Sequence, residues 1–140
     1  KEAFFHHLGT GDRAYNRLLG KASYEAIFAL IGSFPDGSHA IIDAWFGFQP
    51  AEVLDQHIAR GGISRIVEVW CHAPPDVIGA RYLARVAERP QGHLGADYVP
   101  ELVALAKRAR PIGRYPLADV DTTLAIDQAG LAARIRQLLD

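Results

Sequence analysis

Arg81, Arg85 and Arg89 recur every four residues. On one helix their guanidinium groups would form a single stripe about 12 Å long, at about 1.5 Å of rise per residue. Residues 81–114 carry Arg81, Arg85, Arg89, Lys107, Arg108, Arg110 and Arg114 against Glu88, Asp97 and Glu101. Planar guanidinium forks suit phosphate oxygens and the charge that develops during phosphoryl transfer. The bland alternative is a solvated helix face with pairs such as Arg85 to Glu88 or Arg81 to Asp76. The Pro90-Gln-Gly-His93-Leu-Gly95 segment that follows favours a mobile lid, because a charged helix there breaks into a Gly-containing connection. His93 is placed to touch a phosphate or a substrate.

Asp43 is the second candidate. It falls late in the apolar run His39–Trp45, which is bounded by turn residues and too short for a helix, so the pattern predicts a buried strand. A carboxylate late in a buried strand is costly unless it is hydrogen-bonded or serves a ligand. A structural carboxylate capping a neighbouring loop is the alternative. Trp45, Phe46 and Phe48 follow directly and would form one wall of a pocket, or simply core packing. No His-x-x-x-His spacing places two metal ligands on one helix face, and no Gly-x-Ser-x-Gly or Gly-x-Gly-x-x-Gly motif is present. Cys71, inside an apolar strand end, reads as a buried, inert thiol.

The elements that must position these residues follow from periodicity. Helices are predicted over 1–8, 13–31, 50–60, 74–88, 98–109 and 127–139, and strands over 39–45, 65–71 and 116–121. In the 13–31 helix the expected buried stripe is Tyr15, Leu18, Leu19, Ala22, Ala26, Ile27, Leu30 and Ile31. Strands separated by helices imply a layered α/β domain with a parallel sheet and helices on both faces, in one domain over residues 1–140 with a lid near 81–97. In such sheets ligands sit beyond the carboxyl ends of the strands, which draws attention to Asp43, to Cys71-His72 and to Asp121-Thr122-Thr123.

The 140 residues hold 15 Lys+Arg, 16 Asp+Glu and one Cys, for a formal charge of −1. The near-neutral balance argues against a general field for nucleic acid or an acidic membrane. A lone cysteine excludes an internal disulfide and points to a reducing, cytoplasmic setting. No apolar stretch is long enough to span a bilayer.

In order and spacing, Lys1-Glu2-Ala-Phe-Phe, Ala40-Ile-Ile-Asp43-Ala, Ile66-Val-Glu-Val-Trp-Cys-His-Ala-Pro-Pro-Asp76, Arg81-Tyr-Leu-Ala-Arg85 and Val120-Asp-Thr-Thr123 resemble the P-loop small-molecule kinases. The nearest relatives of that kind are zeta-toxin-like, polynucleotide-kinase-like and chloramphenicol-phosphotransferase-like ATPases. The resemblance implies a three-layer, P-loop-kinase-like parallel sheet and an ATP-dependent phosphotransferase using ATP and Mg2+ on a small-molecule hydroxyl acceptor. It also implies roles. Arg81 and Arg85 correspond to the lid arginines that approach the transferring phosphate, with Arg89 as a third. Asp43 corresponds to the acidic residue facing the acceptor or the magnesium shell, with Trp45, Phe46 and His93 toward the substrate. Asp121, Thr122 and Thr123 correspond to the turn beside adenine. These residues contain no Gly-x-x-x-x-Gly-Lys-Ser/Thr. The expectation is therefore that an N-terminal strand and phosphate loop, roughly 30–40 residues, lie upstream of Lys1. The competing expectation is a non-catalytic, nucleotide-responsive or structural binding domain.

Overall fold

A computed structural model describes residues 2–46, 49–90 and 92–140. Eight regular elements and two short 3-10 turns order along the chain. They are α1 (Glu2–Leu8), α2 (Arg13–Ile31), α3 (Ala51–Arg60), β1 (Glu68–His72), α4 (Pro75–Ala84), α5 (Val99–Arg108), β2 (Leu117–Asp121) and α6 (Gln128–Leu139), with the 3-10 turns at Val86–Glu88 and Ala96–Tyr98. The chain divides into two compact units. One comprises Lys1–Ile63 with Ala87–Leu94, the other Ser64–Val86 with Gly95–Asp140. No helix among the described residues is long and apolar enough to cross a membrane.

In the first unit, α2 starts where Asp12 accepts a hydrogen bond from the Tyr15 amide at 2.9 Å, satisfying one of the unpaired N–H groups of the first turn. Its buried face is Asn16, Leu19, Tyr24 and Phe28. The expected stripe is thus only partly correct, since Leu18 is 62% and Leu30 60% exposed. The large rings of Tyr24 and Phe28 set the buried side and pack on His57 of α3, and Leu54 of α3 is buried as well. The Phe28 and His57 rings stack nearly parallel, centroids 4.9 Å apart. Arg60 at the end of α3 pairs with Glu25 of α2.

The strand expected over 39–45 does not form. Those residues have no regular secondary structure, Ile41 is 100% exposed, and Asp43 is exposed. A strand needs a neighbour to take its backbone N–H and C=O groups, and among the described residues none pairs with this run. The segment is tied down from its far end, where the Tyr24 hydroxyl donates to the Trp45 carbonyl at 2.7 Å. Burial pushes the Tyr24 phenol up to about 12, so it remains a proton donor.

The second unit holds the sheet. β1 and β2 pair in parallel, from Glu68 opposite Leu117 to His72 opposite Asp121, joined through α4 and α5 and followed by α6. Register and alternation put Val69, Cys71, Ala118 and Val120 on one face, where Ala118 (0% exposed) and Val120 are buried while Val69 and Cys71 are exposed, and Glu68, Trp70, His72, Leu117, Asp119 and Asp121 on the other. The Glu68 carboxylate accepts from the Ile112 and Gly113 amides at 2.7 and 3.3 Å, anchoring the loop that leads into β2. Arg65 donates to the Leu139 carbonyl and holds the end of α6.

The expectation of a three-layer parallel sheet with helices on both faces is therefore overturned. The chain is mostly helical, and its sheet has two strands among the described residues. The apolar run at 39–45 lacks the paired neighbours that make such a run a sheet strand.

Two substitutions test the packing. Gly79 of α4 faces α5 so closely that a Cβ would lie 2.8 Å from Val103 Cγ2. Alanine ordinarily gains about 1 kcal/mol over glycine inside a helix. Gly79→Ala should nonetheless lower stability by about 1–3 kcal/mol through overpacking, and adding Val103→Ala should restore it, read by urea denaturation. His57 is 4% exposed and its Nδ1 has no hydrogen-bond partner among the described residues. Removing a buried, unsatisfied polar atom by His57→Phe should raise stability by about 1 kcal/mol in the same assay.

Candidate functional site

The carboxyl ends of β1 and β2 are clasped together by one hydroxyl. Thr122, the first residue past β2, donates its Oγ1 proton to the His72 carbonyl at 2.9 Å, and its amide donates to the same oxygen at 2.8 Å. Thr122 Oγ1 in turn accepts from Arg81 Nη1 at 2.8 Å, while Arg81 Nη2 donates to the Thr122 carbonyl at 2.8 Å. The guanidinium thus grips both the hydroxyl and the carbonyl of one residue, using its two-pronged donor geometry. One turn later, Arg85 caps α4 and donates from Nε to the Arg81 carbonyl at 3.2 Å. Its two terminal amino groups make no hydrogen bond among the described residues and the side chain is exposed.

Asp121 and Thr123 complete the turn. Asp121 Oδ1 accepts from the Thr123 amide at 2.8 Å and from the Thr123 hydroxyl at 2.7 Å. The Thr123 amide, then its hydroxyl, and to a lesser extent the positive character of His72 and Arg81, hold the Asp121 carboxyl below the usual aspartate range. On the same polar face, His72 Nε2 lies 2.8 Å from Asp119 Oδ1. Alternation along β2 puts Asp119 and Asp121 on one side, a signal present in the sequence that the motif reading passed over.

The other expected site residues lie in the first unit. Trp45 contributes its carbonyl to Tyr24, and Phe46 packs its ring against Tyr24 and Phe28, at centroid separations of 5.3 and 6.3 Å. The ring contacts of Phe46 match its core-packing alternative, whereas Trp45 is 39% exposed and its bond to Tyr24 is made by the backbone. Phe48 lies outside the described residues. Asp43, exposed and not in a strand, lacks the buried strand-end setting from which its role was argued. His93 and Arg89 bond to each other and, through His93, to Glu2. The continuous arginine stripe is not observed either. α4 stops at Ala84, a 3-10 turn follows, and Arg89 groups with the first unit rather than with Arg81 and Arg85. Cys71, expected to be buried, is exposed. Sequence reasoning missed His57, which carries no motif and is distinguished only by the aromatic rings that bury it.

Among the described residues no three His, Cys, Asp or Glu side chains gather as metal ligands would. A magnesium ion that arrives with nucleotide phosphates needs only one or two carboxylates. Exposed donors stand beside the carboxyl ends of a parallel strand pair, the position where open α/β sheets receive ligands. No protein-family model matches the chain, and no curated protein or solved structure matches it.

The turn gives a pH test. A carboxyl held low in the folded state contributes stability above its unfolded value of 3.8, and that contribution is lost as pH falls through the still lower folded value. The Thr123 amide resonance should therefore report the Asp121 titration below pH 3.8. Thr123→Val, which keeps the amide but removes the hydroxyl, should move that transition upward.

Proposed function

We propose that the carboxyl-end edge of β1 and β2 binds a nucleotide and that the protein is an ATP-dependent phosphotransferase acting on a small-molecule hydroxyl acceptor. The observation that carries this reading is the Arg81–Thr122 clasp with Arg85 exposed beside it at the ends of two parallel strands. ATP, with magnesium, would supply the phosphoryl group. Arg85 has terminal donors for a phosphate oxygen, and Arg81, held by Thr122, sets the position of the Arg85 turn through its carbonyl. The exposed lone thiol of Cys71 fits a reducing compartment such as the cytoplasm.

One observation favours the second reading, a nucleotide-responsive binding domain without chemistry. The Arg81 guanidinium already directs one N–H of each terminal amino group at Thr122. An arginine so committed positions a turn, and a charge-stabilising role in transfer then falls on Arg85 alone.

Titrating ATP into the chain while recording amide spectra separates these outcomes. Binding at this edge should shift His72, Arg81, Arg85 and Asp121–Thr123. Arg85→Ala should weaken it about tenfold, the loss of one exposed charge-assisted hydrogen bond of roughly 1.4 kcal/mol. Spectra unmoved at these residues by millimolar ATP would remove the nucleotide reading. Binding without phosphate transfer to any hydroxyl acceptor in a screened library would select the binding domain.

A further inference from the structure

Four side chains share one face of the strand pair at its carboxyl end. The register sets Trp70 opposite Asp119 and His72 opposite Asp121, and alternation turns all four to the same side. Solvent reaches them: Trp70 is half-buried, and the His72 and Asp119 side chains are 35% and 60% exposed. Among the described residues the Trp70 ring meets no other ring and its indole N–H makes no hydrogen bond. Each aspartate also keeps an oxygen in reserve. Asp119 uses Oδ1 for His72 Nε2, and Asp121 uses Oδ1 for the amide and hydroxyl of Thr123. Neither Oδ2 makes a hydrogen bond among the described residues, and no lysine or arginine is bonded to either carboxylate. The remaining carboxylate of the face, Glu68, is spent on the Ile112 and Gly113 amides. Arg81, whose charge reaches Asp121, directs its terminal N–H groups at Thr122 instead.

We propose that this face binds an organic ammonium ion, its charge over the Trp70 ring and between Asp119 and Asp121. Tryptophan attracts a cation to its ring face more strongly than any other aromatic side chain. The two carboxylates supply the opposite charge, and their open oxygens can accept from an ammonium N–H. The same negative charge disfavours a phosphate on this face and leaves phosphate to Arg85. Cation binding needs no nucleotide. On one point it rests on the nucleotide reading and deepens it: the hydroxyl acceptor is then an amino alcohol, anchored here by its ammonium group.

Choline and neopentylcarbinol, its uncharged analogue with carbon in place of nitrogen, separate charge from shape. In amide and indole spectra of the whole chain without ATP, millimolar choline should shift the Trp70 indole N–H and the amides of His72, Asp119 and Asp121. The Trp45 indole should stay unmoved as an internal reference. Neopentylcarbinol should bind about tenfold more weakly. Trp70→Leu should abolish the response. Should that variant fail to fold, Asp119→Asn alters an exposed side chain and should weaken choline binding about threefold. Equal binding of the two ligands, or a Trp70 indole unmoved by choline, overturns the proposal. An ATP titration of the same sample keeps the two readings apart. Shifts at Arg85 with ATP but none at Trp70 with choline overturn this proposal alone, whereas choline binding without ATP binding upholds the cation site and removes the nucleotide reading.

Discussion

The parallel register that sets His72 opposite Asp121 is the constraint on which the second unit depends. Because side chains alternate every residue, that register puts Asp119 and Asp121 on one face with His72 and puts Ala118 and Val120, which are buried, on the other. It also brings the His72 carbonyl within reach of Thr122, and through Thr122 it fixes Arg81 and the end of α4. The candidate site is in this sense a by-product of strand pairing. Its donors and its carboxylate are where they are because two strands chose one alignment.

The first unit is organised by aromatic packing. Tyr24 and Phe28 turn α2 toward α3, Phe46 closes over them, and the phenol of Tyr24 holds the Trp45 carbonyl. A half-polar group inside such a cluster keeps one end apolar and the other bonded, which is how tyrosine is accommodated in a core. Among the described residues His57 has no comparable arrangement at Nδ1, and its burial is supported by the stacking of Tyr24 and Phe28 on its ring.

Much of the local structure was legible in the sequence. The Asp12 cap, the Gly61-Gly62 stop, Pro75 in the first turn of α4 and the alternation in Leu117–Asp121 each encode their boundary through backbone chemistry that acts over a few residues. What failed required knowledge of a partner. His39–Trp45 has a strand's composition, but composition does not say whether another strand will lie beside it. The orientation of α2 escapes the sequence for the same reason, since its apolar residues extend around more than one side and only the rings of His57 and Phe46 choose among them. In the site, the Asp121–Thr123 turn is local and its residue types announce it. The Arg81–Thr122 clasp spans 41 residues, and four-residue spacing along a helix could not reveal that the first arginine of the stripe was already engaged.

The Glu68 carboxylate has a consequence for assembly. It receives the amides of Ile112 and Gly113, 44 and 45 positions away, just before β2 begins. Bringing such distant residues together is entropically expensive, and the packing of α4 on α5 shortens the effective loop that must close. Once closed, the carboxylate acts as an alignment key. A strand arriving one residue out of step would leave those amides without their acceptor and also turn its apolar side chains to the polar face. Two penalties thus reject the same error, and the β1–β2 pair specifies a single alignment.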